Sequence, residues 1–289
     1  MRGARLDAIT GCGVVSGAGF GARLTAAVDG LGPLCVGIDP HGPLLGSWGL
    51  ADDPDGLARF ADACVAAFAG HIAVVKPQSA FFERHGSRGI AVLERLLAAF
   101  AETRTLVLLD VKRGDIGSTM QGYADAYLAK GAPLAADAVT LSPYLGFGSL
   151  SPALDTASAA GRGVFVLART SNAEGAVVQS AVTDGRSVAQ EIVAEAAARN
   201  RGVAPLGAVG LVVGATAEHG LDLGDLNGPV LAPGLGAQGA APADIADRFR
   251  GVNGIVLPSA SRSVLAAGPD VAHLRAAAWT LRDELAAAH

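Results

Sequence analysis

The sequence is poor in the residues that build cross-links and metal cages. Its three cysteines, Cys12, Cys35 and Cys64, are far apart and odd in number. There is no C-x-x-C, so neither a disulfide framework nor a thiolate zinc site is indicated, and a reducing compartment fits. The six histidines, at 41, 71, 85, 219, 273 and 289, show no ligand spacing such as H-x-x-x-H. Charged residues are only 17% of the 289, and the net charge is −5. That mild acidity gives no sign of a nucleic-acid or membrane-surface partner. No run of about 18 apolar residues occurs, so no transmembrane helix is expected. The N-terminus carries Arg2 and Arg5 and then a Gly-broken stretch, too interrupted for a signal peptide. Residues 1–19 are expected to be a loosely attached extension, and a cytoplasmic location is expected. No Pro- or Ser-rich linker divides the rest, so residues 20–289 are read as one domain.

What the sequence does have is apolar mass, 51% of its residues, arranged in short runs. Eight β-rich runs are legible: Leu34–Asp39, Ile72–Lys76, Thr105–Asp110, Ala138–Leu141, Gly163–Ala168, Ala208–Val213, Val230–Ala232 and Gly254–Leu257. Helical patterns lie between and after them: Asp55–Ala69, Phe81–Ala101, Ile116–Lys130, Ser149–Ala159, Ser187–Asn200, Ala215–Leu221, Pro242–Arg250 and Asp270–Ala287. Eight β/α units in a chain of this length predict an α/β fold, a single (β/α)8 TIM barrel, with a doubly wound open sheet as the alternative. Polar residues punctuate the C-terminal ends of the strands, which is the face where barrels carry their active sites.

The densest of these is T-L-V-L-L-D-V-K-R-G-D-I-G-S-T, residues 105–119. Strand side chains alternate faces, so Asp110 and Lys112 point the same way and Val111 the other. The strand before them is apolar on both faces, as buried parallel strands are. Asp115 follows in the turn before a helix. Two acids around one lysine favour its charged form and hold it as a proton donor. The plainer reading makes Asp115 a helix cap and Asp110 with Lys112 a strand-end ion pair.

Other groups fall at the same end. Lys76, in I-A-V-V-K-P-Q, either snorkels to solvent or extends a Lys76–Asp110–Lys112–Asp115 array, which burial permits only if its members bond one another. Pro233 to Gly239, P-G-L-G-A-Q-G, follows the seventh strand; its glycines let backbone N–H groups approach an anion, and Gln238 adds an amide donor. Ser259, Ser261 and Arg262 follow the eighth strand, and arginine offers a fork for phosphate oxygens. Loops after strands seven and eight often hold phosphate in barrels, although both could be ordinary turns. Asp39 is either a turn former before Pro40 or an acceptor for a sugar hydroxyl. Ser171, in L-A-R-T-S-N, is a capping serine or a contact for a base edge. Arg113 and Arg169 read as structural pairs.

Five stretches together, D-V-K-R-G-D-I-G-S-T, V-K-P-Q-S-A-F-F-E, S-P-Y-L-G-F-G-S-L, P-G-L-G-A-Q-G and the final S-R-S, resemble orotidine 5'-phosphate decarboxylase, in its longer bacterial subgroup. The resemblance runs from about Phe20 to the C-terminus. It implies a homodimeric (β/α)8 barrel that converts orotidine 5'-phosphate to UMP and CO2 without metal or organic cofactor. By motif it implies that Lys112 protonates C6, that Asp110 sits against the substrate carboxylate, and that Lys76 holds Asp110 and reaches the ribose. Asp115 and Thr119, with Ile116 between them, would reach the partner subunit's site. Asp39 would bind a ribose hydroxyl and Ser171 the base. Pro233, Gln238, Gly239 and Arg262 would surround the phosphate.

Two other readings compete. Keto-sugar-phosphate decarboxylases and hexulose-phosphate synthases share a D-x-K-x-x-D strand but use Mg2+ and need an acidic ligand near the end of the second strand. Lys76 stands at that place. A non-catalytic phosphate-binding barrel predicts loss of the acid–base residues, and Asp110, Lys112 and Asp115 are all present.

Overall fold

The computed structural model describes residues 18–237 and 239–288. The extension expected over residues 1–19 lies largely outside them, as do Cys12 and Gln238. Eight parallel strands close into a barrel in chain order: β1 Cys35–Ile38, β2 Val74–Pro77, β3 Leu106–Arg113, β4 Ala138–Leu141, β5 Gly163–Arg169, β6 Val209–Val213, β7 Val230–Pro233 and β8 Val256–Ala260. Closure is made by β1 on β8, with Cys35 opposite Ser259 and Val36 opposite Ala260. The open-sheet alternative is thereby excluded.

The longer helices are α1 Phe20–Leu31, α2 Pro54–Phe68, α3 Gly86–Ala101, α4 Gly117–Leu128, α5 Ser151–Ala160, α6 Val188–Asn200, α7 Pro242–Arg248 and α8 Val271–Ala287. Local chemistry starts several of them. Asp53 accepts the N–H groups of Asp55 and Gly56 ahead of α2, Ser187 that of Gln190 in α6, and Asp270 that of His273 in α8. Such caps satisfy amide donors that a helix's first turn leaves without partners.

Strand alternation sorts the core into two parts. Val36, Val75, Val107, Leu109, Val139, Val164 and Leu211 pack outward with the helices. Cys35, Val74, Leu106, Leu108, Ala138, Phe165, Val212, Leu231 and Leu257 fill the interior together with Phe20 and Leu24 of α1. Helix α1, for which no helix was expected, closes the N-terminal end of the barrel. Phe20 meets Phe165 edge-on with ring centroids 6.1 Å apart. Gly163 leaves room for this plug, since a Cβ there would come within 2.4 Å of the Phe20 ring. Arg23 pairs with Asp137, whose other oxygen accepts the Val107 N–H at 2.9 Å, so α1 is tied to β3 by charge as well as by packing.

Two helical expectations change. Phe81–Ala101 divides into a short turn, Ser79–Glu83, and α3, because Gly86 turns the chain at φ +62°. Ala215–Leu221 forms no helix. Gly220 lies at φ +66°, and the His219 ring ties the loop instead, accepting the Leu221 N–H at 3.0 Å and meeting the Arg248 carbonyl at 2.8 Å. Cys35 and Cys64 are fully buried, and burial pushes the Cys35 thiol up to about 12, so it is an un-ionised core residue.

Candidate active site

With one end plugged, ligands can enter the barrel only from the C-terminal mouth. There β3 carries its apolar interior residues, Leu106 and Leu108, into a charged continuation, Asp110 and Lys112. Lys76 at the end of β2 donates to Asp110 Oδ2 at 2.8 Å, and the Lys112 ammonium donates to Oδ1 at 2.6 Å. Lys76 and Asp110 are buried, whereas the Lys112 side chain is 45% exposed toward the mouth. Burial alone would neutralise both buried groups. For Asp110 it is overcome by Lys76 and then Lys112, which hold the carboxyl well below the usual carboxylate range. For Lys76 it is overcome by Asp110 and then Asp39, which hold the ammonium above its ordinary value. Asp110 and Lys76 are therefore both held ionised, and two lysine side chains bond the one carboxylate.

The backbone is shaped to deliver it. Leu109 pairs with Val139 and Arg113 with Leu141, so residues 110–112 of β3 stand opposite the single residue Thr140. This bulge puts Lys112 at φ +44°, a left-handed conformation that costs a non-glycine residue roughly 1–2 kcal/mol. Bulges and such strain concentrate where a side chain must be re-aimed.

Lys76, Asp110, Lys112, Thr140, Leu167, Arg169, Ser171 and Pro233 line a cavity of about 300 Å³. A second, of about 260 Å³, adjoins it through Lys76 and Pro233 and is lined by Asp39, His41, Phe81, Ser259, Ser261 and Arg262. Together they make one cleft with Lys76 at its waist. In the second lobe Asp39 Oδ1 and Ser261 Oγ are buried and have no hydrogen-bond partner. Groups left so cost about 1–3 kcal/mol each, which a ligand hydroxyl or phosphate would recover. The Arg262 side chain is exposed at the rim and has no ion pair among the described residues.

Not every expected residue joins this cleft. Asp115 and Ile116 lie on the β3–α4 turn and Thr119 in the first turn of α4, all outside both lobes; Asp115 accepts the N–H of its neighbour Ile116 at 2.8 Å. Within one chain the array thus ends at Lys112. Gly239 does not line the cleft either. The N–H groups of Gly236, Gly239 and Ala240 are taken by carbonyls of their own loop, so the glycines there serve first to fold the loop on itself. Arg113 pairs with Glu83 at 2.6 Å and stacks over Tyr123, a structural role as expected. Arg169 also makes a structural pair, donating to the Ser180 hydroxyl, and in addition lines the inner cavity. Thr140 was not singled out, although strand alternation from Ala138 already points it inward. Phe81 lies within the V-K-P-Q-S-A-F-F-E stretch and His41 two residues after Asp39, but neither was given a role from the sequence. Among the described residues no group of three His, Cys, Asp or Glu side chains is placed to hold a metal ion.

Comparison with known proteins places the chain in a family. Residues 32–277 match the model of the orotidine 5'-phosphate decarboxylase / HUMPS family. An orotidine 5'-phosphate decarboxylase of Salinispora arenicola is 62% identical over 261 residues, 90% of this chain and 94% of the relative. One from Streptomyces coelicolor is 58% identical over 262 residues, again 90% and 94%. A crystal structure from Streptomyces avermitilis superimposes with a TM-score of 0.91 at 56% identity, over 94% of this chain and 96% of that one. The OMP decarboxylase of Leishmania donovani superimposes at 0.71 and 29% identity, over 93% and 98%.

Proposed function

The chain belongs to the orotidine 5'-phosphate decarboxylase / HUMPS family, and from that premise we infer how its cleft decarboxylates orotidine 5'-phosphate to UMP and CO2 in pyrimidine biosynthesis. The observation that carries the reading is the Lys76–Asp110–Lys112 chain, bonded at 2.8 and 2.6 Å at the floor of the cleft.

In this reading the pyrimidine lies in the inner lobe, against Ser171, with C6 beside Lys112. The C6–carboxylate bond breaks, CO2 leaves, and the electron pair stays on C6. That carbanion is localised in the ring plane and has little resonance help. A fixed cation aimed at the developing charge is then the main source of stabilisation. Lys112 gives its proton to C6, yielding UMP, and is reprotonated from solvent. Asp110 sets the ammonium in place and faces the substrate carboxylate, a repulsion that ends when CO2 departs. Lys76 keeps Asp110 ionised and, at the waist of the cleft, reaches the ribose. Asp39, with its unpartnered Oδ1, accepts a ribose hydroxyl. Arg262, with Gln238 and the Pro233–Gly239 loop, binds the phosphate, whose remote binding energy offsets the strain at the reacting carbon. The Lys76 ammonium occupies the flank of Asp110 that a divalent cation would need, which favours this chemistry over the Mg2+-dependent one.

The same reading makes the enzyme a homodimer in the cytoplasm. Asp115 and Thr119 would complete the partner's array and ribose site. Support comes from Ile116, Tyr144 and Leu145, which are 62%, 78% and 53% exposed near Asp115, on loops joined by the Ser142 N–H to Arg113 carbonyl bond. Turnover in D2O tests the proton's route: the wild type should form UMP deuterated at C6, and Lys112→Ala should form none. Deuterated product from that variant at the wild-type rate would remove Lys112 as the donor.

A further inference from the structure

We propose that Thr140 is a positioning residue for the decarboxylation, holding both the Asp110 carboxylate and the backbone of Lys112 through one hydroxyl; the inference rests on the reaction assigned above. Thr140 lies in the middle of β4 and is buried. Its Oγ1 donates to Asp110 Oδ1 at 2.8 Å and accepts the Lys112 N–H at 2.9 Å. The hydroxyl has one proton, and the backbone amide needs an acceptor, so the two bonds fix its orientation: the proton goes to Asp110 and a lone pair faces Lys112.

The bulge explains why a side chain is needed there. With residues 110–112 facing Thr140 alone, the Lys112 N–H has no carbonyl opposite it in the β3–β4 ladder. The Thr140 hydroxyl replaces that carbonyl and so secures the left-handed turn at φ +44° that swings the Lys112 side chain back toward Asp110. β-Branching adds stiffness, because threonine's χ1 is restricted in a strand.

The second bond acts on the chemistry. Asp110 Oδ1 is shared by the Lys112 ammonium and the Thr140 hydroxyl, while Oδ2 belongs to Lys76. When Lys112 releases its proton to C6 it becomes a neutral amine and its charge-assisted bond to Oδ1 weakens. Thr140 still donates to that oxygen, so the carboxylate keeps its orientation through the step. None of this requires Thr140 to touch the substrate's phosphate or ribose. Its loss should therefore fall on kcat and spare ground-state binding.

Thr140→Val keeps the shape and β-branching and removes both bonds; Thr140→Ser keeps the hydroxyl. The measurements are steady-state turnover of orotidine 5'-phosphate and calorimetric affinity for UMP in the wild type and both variants. A hydrogen bond to a charged group is worth about 1.5–3 kcal/mol, which corresponds to a ten- to hundredfold fall in kcat for Thr140→Val. The expected pattern is that fall, with UMP affinity within about threefold of wild type, and Thr140→Ser within about threefold of wild type in kcat. Three results would overturn the role while leaving the reaction intact. They are a Thr140→Val kcat within threefold of wild type, an equal loss of UMP affinity and kcat, or a Thr140→Ser enzyme as impaired as the valine variant. A wild-type chain that does not turn over would overturn the reaction and the role together.

Discussion

Replacing Lys76 with methionine keeps most of the side chain's bulk and removes its charge. Asp110 Oδ2 then loses its bonded partner, the ammonium at 2.8 Å, while Oδ1 keeps Lys112 and Thr140. Breaking a buried ion pair from one side costs about 3–5 kcal/mol, and the bonds remaining on Oδ1 place this case near 3. For a domain of this size each kcal/mol moves the melting temperature by about 2–4 °C, so the variant should melt about 6–12 °C lower at pH 7. The pH dependence has a defined sign. Asp110 is held below its unfolded value, so its stabilisation is complete above roughly pH 4 and is lost as pH falls through the lower folded value. Without Lys76 that folded value rises toward the ordinary one, so the window between the two values closes and the acid loss of stability that Asp110 contributes should shrink. Adding Asp110→Asn to Lys76→Met removes the stranded charge and should give no further loss. Differential scanning calorimetry across pH 3–8 reads all three effects. A single variant melting within about 2 °C of wild type would show that the pair is not the buried, coupled unit described.

The remaining perturbations address the chemistry. Lys112→Ala removes a unit charge; at ~4 Å and an effective dielectric of ~20 that interaction is about 4 kcal/mol, so kcat should fall by about three decades or more while calorimetry still detects UMP binding. Full activity would refute the proton-donor role. Arg262→Ala should weaken UMP about 10- to 100-fold through loss of a charge-assisted contact, and an unchanged affinity would refute its phosphate role. Mixing inactive Asp115→Ala and Lys112→Ala chains should restore activity once subunits exchange, because one of the two sites in a mixed dimer is then intact. No recovery after exchange verified by mass spectrometry would assign Asp115 to its own chain's site.

Much of this architecture could be read from residue order because it follows from short-range periodicity. Alternation along β3 sends Leu106, Leu108, Asp110 and Lys112 to one side, and all four are found in the barrel's interior or mouth. The same rule applied to β4 would have marked Thr140, but a single threonine between apolar residues has no spacing motif to distinguish it. Helix α1 escaped because Phe20–Leu31 follows a Gly-rich segment and has neither a side-chain cap nor an acidic first turn; its packing into the barrel end, a long-range matter, secures it. Ala215–Leu221 misled in the opposite direction, since its composition tolerates a helix while His219 and Gly220 commit it to a loop. The bulge at Lys112 was not legible at all. It arises from the offset between two strands about thirty residues apart, and only their pairing reveals it.

The central claim is that this cleft decarboxylates orotidine 5'-phosphate with its own lysine as the acid. The most direct test follows the loss of orotidine 5'-phosphate absorbance with purified, EDTA-treated enzyme. The account predicts rapid, stoichiometric formation of UMP. No turnover of that nucleotide, with activity on a keto-sugar phosphate restored by Mg2+, would contradict it.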